Sequence, residues 1–274
     1  MQRHLPHAQS LNKALPLQTE ILSVATANPK YKIDQRDAWE GAMSVFPHLA
    51  RMEALYTNTG IETRYSCVPA DWCQRPHSWE ERTEIYQRHA LDLLQEVSVR
   101  AVEGAGLLLT DIDMLVLNTI TGLAIPSLDA RLMNRLAFRA TLERLPIFGL
   151  GCGGGVAGLA RAARLAQGSP GANVLFLTVD LCTLCARPND PSVAMFVSAA
   201  LFGDGAAAVV LRSGEAKGKG GAVRDHAHRS AQRGTQCQER RAAPGRCSWP
   251  RARPGCAGSP GWQATRALCR PPSW

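Results

Sequence analysis

The chain has 274 residues, 45% hydrophobic and 20% charged, with 31 Lys and Arg against 23 Asp and Glu for a net charge of +8. Such a composition is too apolar for a wholly disordered chain and holds no apolar run of membrane-spanning length, so it predicts a soluble, largely globular protein of one large or two small domains. The opening residues carry Arg3, His4, Pro6 and His7 but no signal-peptide core, which predicts a cytoplasmic location, and nine irregularly spaced cysteines predict free thiols.

Over 83–105 the apolar residues Ile85, Leu91, Leu94, Val97 and Ala101 recur at helical spacing, and Gly104 and Gly106 supply an end. The run Met114-Leu115-Val116-Leu117 reads as a buried strand, after which Ser127 is placed to cap a helix carrying Leu128, Leu132 and Leu136 on one face. Residues 146–150 read as another buried strand, 156–167 as an Ala/Leu/Arg-rich helix ended by Gly168, and 173–179 as a further buried strand, together a β-α-β unit. A last strand, 206–211, follows the tight Gly203-Asp204-Gly205 turn, and its small residues permit close approach of backbone or ligand. The alternation predicts an α/β layered fold.

Beyond Ser213 the composition changes. Residues 214–274 hold 12 Lys and Arg against three Asp and Glu, leaving 19 against 20 before them, and apolar periodicity disappears. Three readings compete for this tail: a nucleic-acid-binding arm, a solvated disordered extension, or translation of a GC-rich gene in the wrong frame. Ten Arg against two Lys, with four Cys and three Trp, favour the last, and a basic stretch alone is a weak sign of nucleic-acid binding. The predicted organisation is a flexible segment at 1–19, a globular domain at 20–213 and a basic low-complexity tail at 214–274.

The chemistry points to Cys152, in Gly149-Leu150-Gly151-Cys152-Gly153-Gly154-Gly155-Val156, between a strand and a helix. A helix N-terminus favours a thiolate, and bare glycines give backbone N–H groups access to a thioester oxygen. The alternative is an inert cysteine beside glycines that serve only a turn. A phosphate loop is disfavoured because no Lys-Ser/Thr follows the glycines. Cys182-x-x-Cys185 raises zinc and redox readings but lacks a second pair at zinc-finger spacing, and Cys67 and Cys73 are expected as free thiols.

Several separate segments together resemble the type III polyketide synthases, the chalcone and stilbene synthase-like branch of the thiolase superfamily. They are Ile21-Leu22-Ser23-Val24-Ala25-Thr26-Ala27-Asn28-Pro29, Gly60-Ile61-Glu62-Thr63-Arg64-Tyr65, the Cys152 segment, and Leu201-Phe202-Gly203-Asp204-Gly205-Ala206 with the strand after it. The resemblance implies a thiolase-like layered αβαβα fold of which only the N-terminal half is present, a homodimer, no metal or cofactor, and acyl-CoA and malonyl-CoA as substrates. It also implies that Cys152 takes the starter acyl group and is relieved of it by a carbanion from malonyl-CoA, giving the pyrone- or resorcinol-type products of bacterial members. By position Phe202 matches the gate between CoA tunnel and cavity, Thr121 and Cys185 match cavity-lining residues, and Ile125, before a cis Pro126, matches a residue inserted across the dimer interface. Arg51 and Arg64 are candidate CoA anchors.

The family also uses a His in a His-Pro-Gly-Gly segment and an Asn after a Gly; neither segment occurs in these 274 residues, nor does the closing Gly-Phe-Gly-Pro-Gly, and His226 and His228 lack that context. The chain is therefore expected to be catalytically incomplete, with exposed apolar surface and poor solubility. Two other functions compete: a ketoacyl-ACP synthase III or HMG-CoA synthase relative, disfavoured by the Gly-Cys-Gly-Gly-Gly surroundings and the late Cys, and a non-catalytic half-protein that binds acyl-CoA and nucleic acid.

Overall fold

The structure is a computed structural model that describes residues 18–214; the readings made for 1–17 and for 215–274, His226 and His228 included, lie outside the described residues. In chain order the elements are β1 (Gln18–Ala27), β2 (Tyr31–Asp34), α1 (Gln35–Val45), α2 (Ala54–Thr57), β3 (Thr63–Ser66), α3 (Trp79–Gly104), β4 (Met114–Thr119), α4 (Leu128–Met133), β5 (Glu143–Phe148), α5 (Gly154–Gly168), β6 (Asn173–Leu181), α6 (Val193–Leu201) and β7 (Asp204–Gly214). Gln18 and Thr19, expected in the flexible segment, pair with Gly214 and Ser213.

Five strands form one sheet in the order β1-β7-β6-β4-β5, with β4 parallel to both neighbours and β7 antiparallel to β6 and β1. A strand flanked by parallel neighbours and covered on both faces needs continuous apolar sequence, and every residue of β4 is buried. Alternation along the strand divides its side chains between two layers. Leu115 and Leu117 join Leu175, Leu177 and Val210 under α3, whereas Met114 and Val116 join Val174, Phe176 and Leu211 under α5. Each such side chain contributes about 1.5–3 kcal/mol when fully buried.

Helix α3 starts at Trp79, earlier than the periodicity suggested, because Ser78 accepts from the Glu81 N–H at 3.2 Å and Glu80 and Glu81 favour the positive end of the helix. Helix α5 approaches the sheet through small residues: Gly154, Gly158, Ala162 and Ala166 recur every fourth residue and are all buried. A Cβ on Gly154 would lie 2.4 Å from Asn118 Oδ1, and one on Gly158 would lie 2.5 Å from the Phe176 ring.

Two sequence readings need correction. Strand β5 is not buried: it is the sheet edge, exposed along most of its length, and Pro146 is accommodated because an edge strand can spare an N–H. Helix α4 stops at Met133, so Leu136 packs on the core from beyond the helix, and Ser127 makes no side-chain cap bond. Leu145, Phe148, Leu150 and Val156, around β5 and the start of α5, are exposed apolar residues. A third cluster joins α1 and α6 through Ala42, Phe46, Tyr56 and Phe196. No helix among the described residues is long and apolar enough to cross a membrane.

Candidate active site

Between β5 and α5 the chain reverses through two glycines in the left-handed region, Gly149 at φ 87° and Gly151 at φ 56°, where other residues are strained. A single 3₁₀ turn, Gly151–Gly153, then leads into α5, and Cys152 stands exposed on that turn. The first helical N–H groups, unpaired within the helix, begin just after it.

Cys152 lies in the wall of a cavity of about 440 Å³ shared with Ile120, Thr121, Asp180, Cys182, Cys185 and Phe202. Thr121, Cys185 and Phe202 are thus brought to the same cavity as Cys152. Ile125 is not: it is 93% exposed, outside that wall, and precedes a cis peptide to Pro126. Its loop is fastened by Arg131, which donates to the carbonyls of Pro126 at 2.8 Å and Ile125 at 3.1 Å.

The wall beyond Cys152 is set by polar anchors. Asp180, next to last in strand β6, accepts from the Ile120 N–H at 3.0 Å and the Thr121 hydroxyl at 3.3 Å, while the Leu181 N–H donates to the same hydroxyl oxygen at 2.8 Å. The proton and one lone pair of the Thr121 hydroxyl are thereby directed. Burial raises the Asp180 carboxyl above its ordinary value, and the hydrogen bonds from Ile120 and Thr121 oppose that rise. Asp204 opens β7 and accepts from the Cys67 N–H at 2.8 Å, the Thr183 N–H at 2.8 Å and the Thr183 hydroxyl, tying the turn Cys182–Cys185 to the end of β3.

The thiols differ in surroundings. Burial pushes Cys182 up to about 12, with Asp180 adding to the rise, and Cys73 up to about 11. Cys67 is raised further, and Cys185, although exposed at the cavity wall, is ringed by enough protein to be raised as well. Those four are held as neutral thiols, poor nucleophiles. All five cysteines among the described residues are free, and no cluster of three or more His, Cys, Asp or Glu among them is placed to hold a metal.

The two candidate CoA anchors separate. Arg51 is exposed on the turn Pro47–Met52. Arg64 is only 8% exposed and spends its terminal N–H groups on protein acceptors, so the anchor reading is corrected for it. Sequence reasoning also passed over Asp180, although a carboxylate inside the apolar run Val174-Leu175-Phe176-Leu177-Thr178-Val179-Asp180-Leu181 was a visible signal. A second cavity, about 780 Å³, lies beyond Thr121 and Cys185, with His77, Trp79, Arg82 and Tyr86 in its wall.

A family model described as chalcone and stilbene synthases, N-terminal domain, matches residues 17–215. The chain is 39% identical over 206 residues to a 1,3,6,8-tetrahydroxynaphthalene synthase of Streptomyces peucetius subsp. caesius, a match covering 74% of this chain and 54% of that protein. It is 34% identical over 193 residues to a phloroglucinol synthase of Pseudomonas fluorescens, covering 69% and 55% respectively. The crystal structure of 1,3,6,8-tetrahydroxynaphthalene synthase from Streptomyces coelicolor A3(2), a bacterial type III polyketide synthase, matches with a TM-score of 0.68 at 34% identity, over 70% of this chain and 56% of that one. The chain spans about half the length of the curated relatives it matches.

Proposed function

The chain belongs to the chalcone and stilbene synthase family of type III polyketide synthases, and from that premise we propose that residues 18–214 form the acyl-loading half of a thiolase-like polyketide synthase. The observation that carries this reading is the exposed Cys152, on a glycine turn ahead of α5, in one cavity with Thr121, Cys185 and Phe202.

In the proposed reaction the Cys152 thiolate attacks the carbonyl carbon of an acyl-CoA, the tetrahedral oxyanion collapses, and CoA leaves as its thiolate. Malonyl-CoA then loses CO₂, the resulting carbanion attacks the Cys152 thioester, and Cys152 leaves as thiolate with one new carbon–carbon bond formed. Repetition and ring closure give pyrone- or resorcinol-type products. Phe202 serves as gate, Thr121 and Cys185 bound the space for the chain, and Ile125 meets a second subunit of a cytoplasmic homodimer.

The 274-residue chain by itself is read as stopping at the acyl-enzyme. Its sequence holds no His-Pro-Gly-Gly segment, and losing one preorganised donor to a developing oxyanion costs on the order of 10²–10³ in rate. The apolar residues exposed around β5 support the expectation of poor solubility for this chain alone.

Intact mass after incubation with an acyl-CoA tests the loading step: one acyl increment, absent in Cys152→Ala, is expected, and acylation that survives that substitution overturns the assignment. Radiolabelled malonyl-CoA turned into pyrone by the 274-residue chain would refute the claim that it stops at the acyl-enzyme.

A further inference from the structure

The gate residue of the proposed reaction follows directly on α6, where its N–H donates to the Ser198 carbonyl at 3.0 Å, and its own carbonyl is held from outside that helix. A helix ends with carbonyls that lack an intrahelical donor, and here a side chain from a different part of the chain supplies the donors. Arg64, on β3, donates through one terminal nitrogen to the carbonyls of Ala199 and, at 3.2 Å, Phe202 itself. Through the other it donates to the Ala200 carbonyl at 2.7 Å and to Gln35 Oε1. Gln35, the first residue of α1, adds its own amide N–H to the Ala200 carbonyl at 3.2 Å and reaches the Tyr56 carbonyl at 3.1 Å.

The four acceptors that Arg64 meets among the described residues are neutral, and the guanidinium is buried in the wall of the Cys152 cavity. A cation kept inside without a bonded carboxylate is justified where a planar fork must meet several carbonyls at once, and its charge opposes the negative end of α6. The chain closes around it: a Cβ on Gly203, the residue after the gate, would lie 3.1 Å from Arg64 Cβ and 3.2 Å from the Tyr65 carbonyl. Phe202 is 43% exposed and stands in the wall of the Cys152 cavity, next to the Arg64-held end of α6.

We propose that Arg64 is the positioning residue of the Phe202 gate, locking the last turn of α6 and the Phe202 carbonyl so that the ring stands at the cavity mouth, and that starter selection passes through this latch. The inference rests on the reading of Cys152 as acyl acceptor and Phe202 as gate. Arg64 touches no substrate in this scheme; it acts through Phe202.

The test is a double-mutant cycle. Transfer to Cys152 from acetyl-CoA and from lauroyl-CoA is followed by intact mass for the wild type, Phe202→Ala, Arg64→Lys and the double variant, with the thermal midpoint recorded for each. Arg64→Lys keeps the charge and loses the fork. It is expected to shift the lauroyl-to-acetyl rate ratio by about tenfold in the same direction as Phe202→Ala, with no further shift in the double variant. Multiplicative effects, or a wild-type ratio in Arg64→Lys beside an altered one in Phe202→Ala, overturn the latch.

Should Arg64→Lys not fold, Gln35→Ala removes one strut and leaves the guanidinium in place, and a smaller shift in the same direction is expected; no shift counts against the proposal. Should wild-type Cys152 take no acyl group, the loading reading fails separately. The latch is then judged by acrylamide quenching of Phe202→Trp, with greater quenching expected when Arg64→Lys is added and equal quenching overturning it.

Discussion

The Cys152 turn and the segment running from Asp180 to Asp204 both line the cavity, yet they are held in contrary ways. Around Cys152 position is secured by omission: Gly149 and Gly151 adopt left-handed backbone, and Gly154 and Gly158 let α5 settle against Asn118 and Phe176. From Asp180 to Asp204 position is secured by charged groups, with Asp180, Asp204 and Arg64 each serving two or more partners from distant parts of the chain. The first region resists additions at these four glycines; the second resists removal of its anchors. On the proposed reading, a turn that is to carry an acyl group needs open space around its nucleophile, whereas a wall that is to measure the acyl chain needs a fixed outline.

The comparison breaks most readily at Asp204. Asp204→Ala strands the buried Cys67 N–H and the half-buried N–H and hydroxyl of Thr183 and is expected to cost about 3–5 kcal/mol in urea unfolding, with a loss below about 1 kcal/mol showing that the anchors are dispensable. Next comes the glycine face. Gly158→Ala drives a methyl into the Phe176 ring and is expected to cost about 1–3 kcal/mol, while Gly155→Ala, with open space around its Cβ, is expected to be neutral or to gain up to about 1 kcal/mol. Equal effects from the two would mean that close approach does not govern α5.

Smallest is the pH effect at Asp180. Because its carboxyl is raised in the folded state, the native chain holds that proton at pH values where the unfolded chain has released it, so stability falls as pH rises from about the ordinary value of 3.8 through the raised one. Asp180→Asn should flatten that part of a stability profile taken by urea titration between pH 4 and 7; an unchanged slope would show that the carboxylate is as well solvated inside as outside.

Elements whose burial follows from their own sequence were legible. Strands β4, β6 and β7 are built around apolar or small runs, and α3 has a clear period. The apolar run at the end of β5 suggested burial as well, but whether a strand lies inside a sheet or at its edge depends on strand order, which the run does not encode. Helix α6 went unseen because Val193-Ala194-Met195-Phe196-Val197 is apolar on all sides and shows no period. Cys152 stood out through its glycines, and Thr121, Cys185 and Phe202 through resemblance. Arg64 looked like a rim cation, since nothing adjacent to it in sequence announces that its acceptors lie about 135 residues further on.

The pairing of Gln18 with Gly214, at the far edge of the sheet, bears on how such a chain is made. Among the described strands β1 is made first, and its one neighbour there is β7, the last of them. At about 5–20 residues per second, β1 waits on the order of ten to forty seconds for its described partner. Closing a loop of that length also slows the search once β7 arrives. Newly synthesised chains are thus exposed to mispairing through β1, and a chaperone that shields extended segments would act there first.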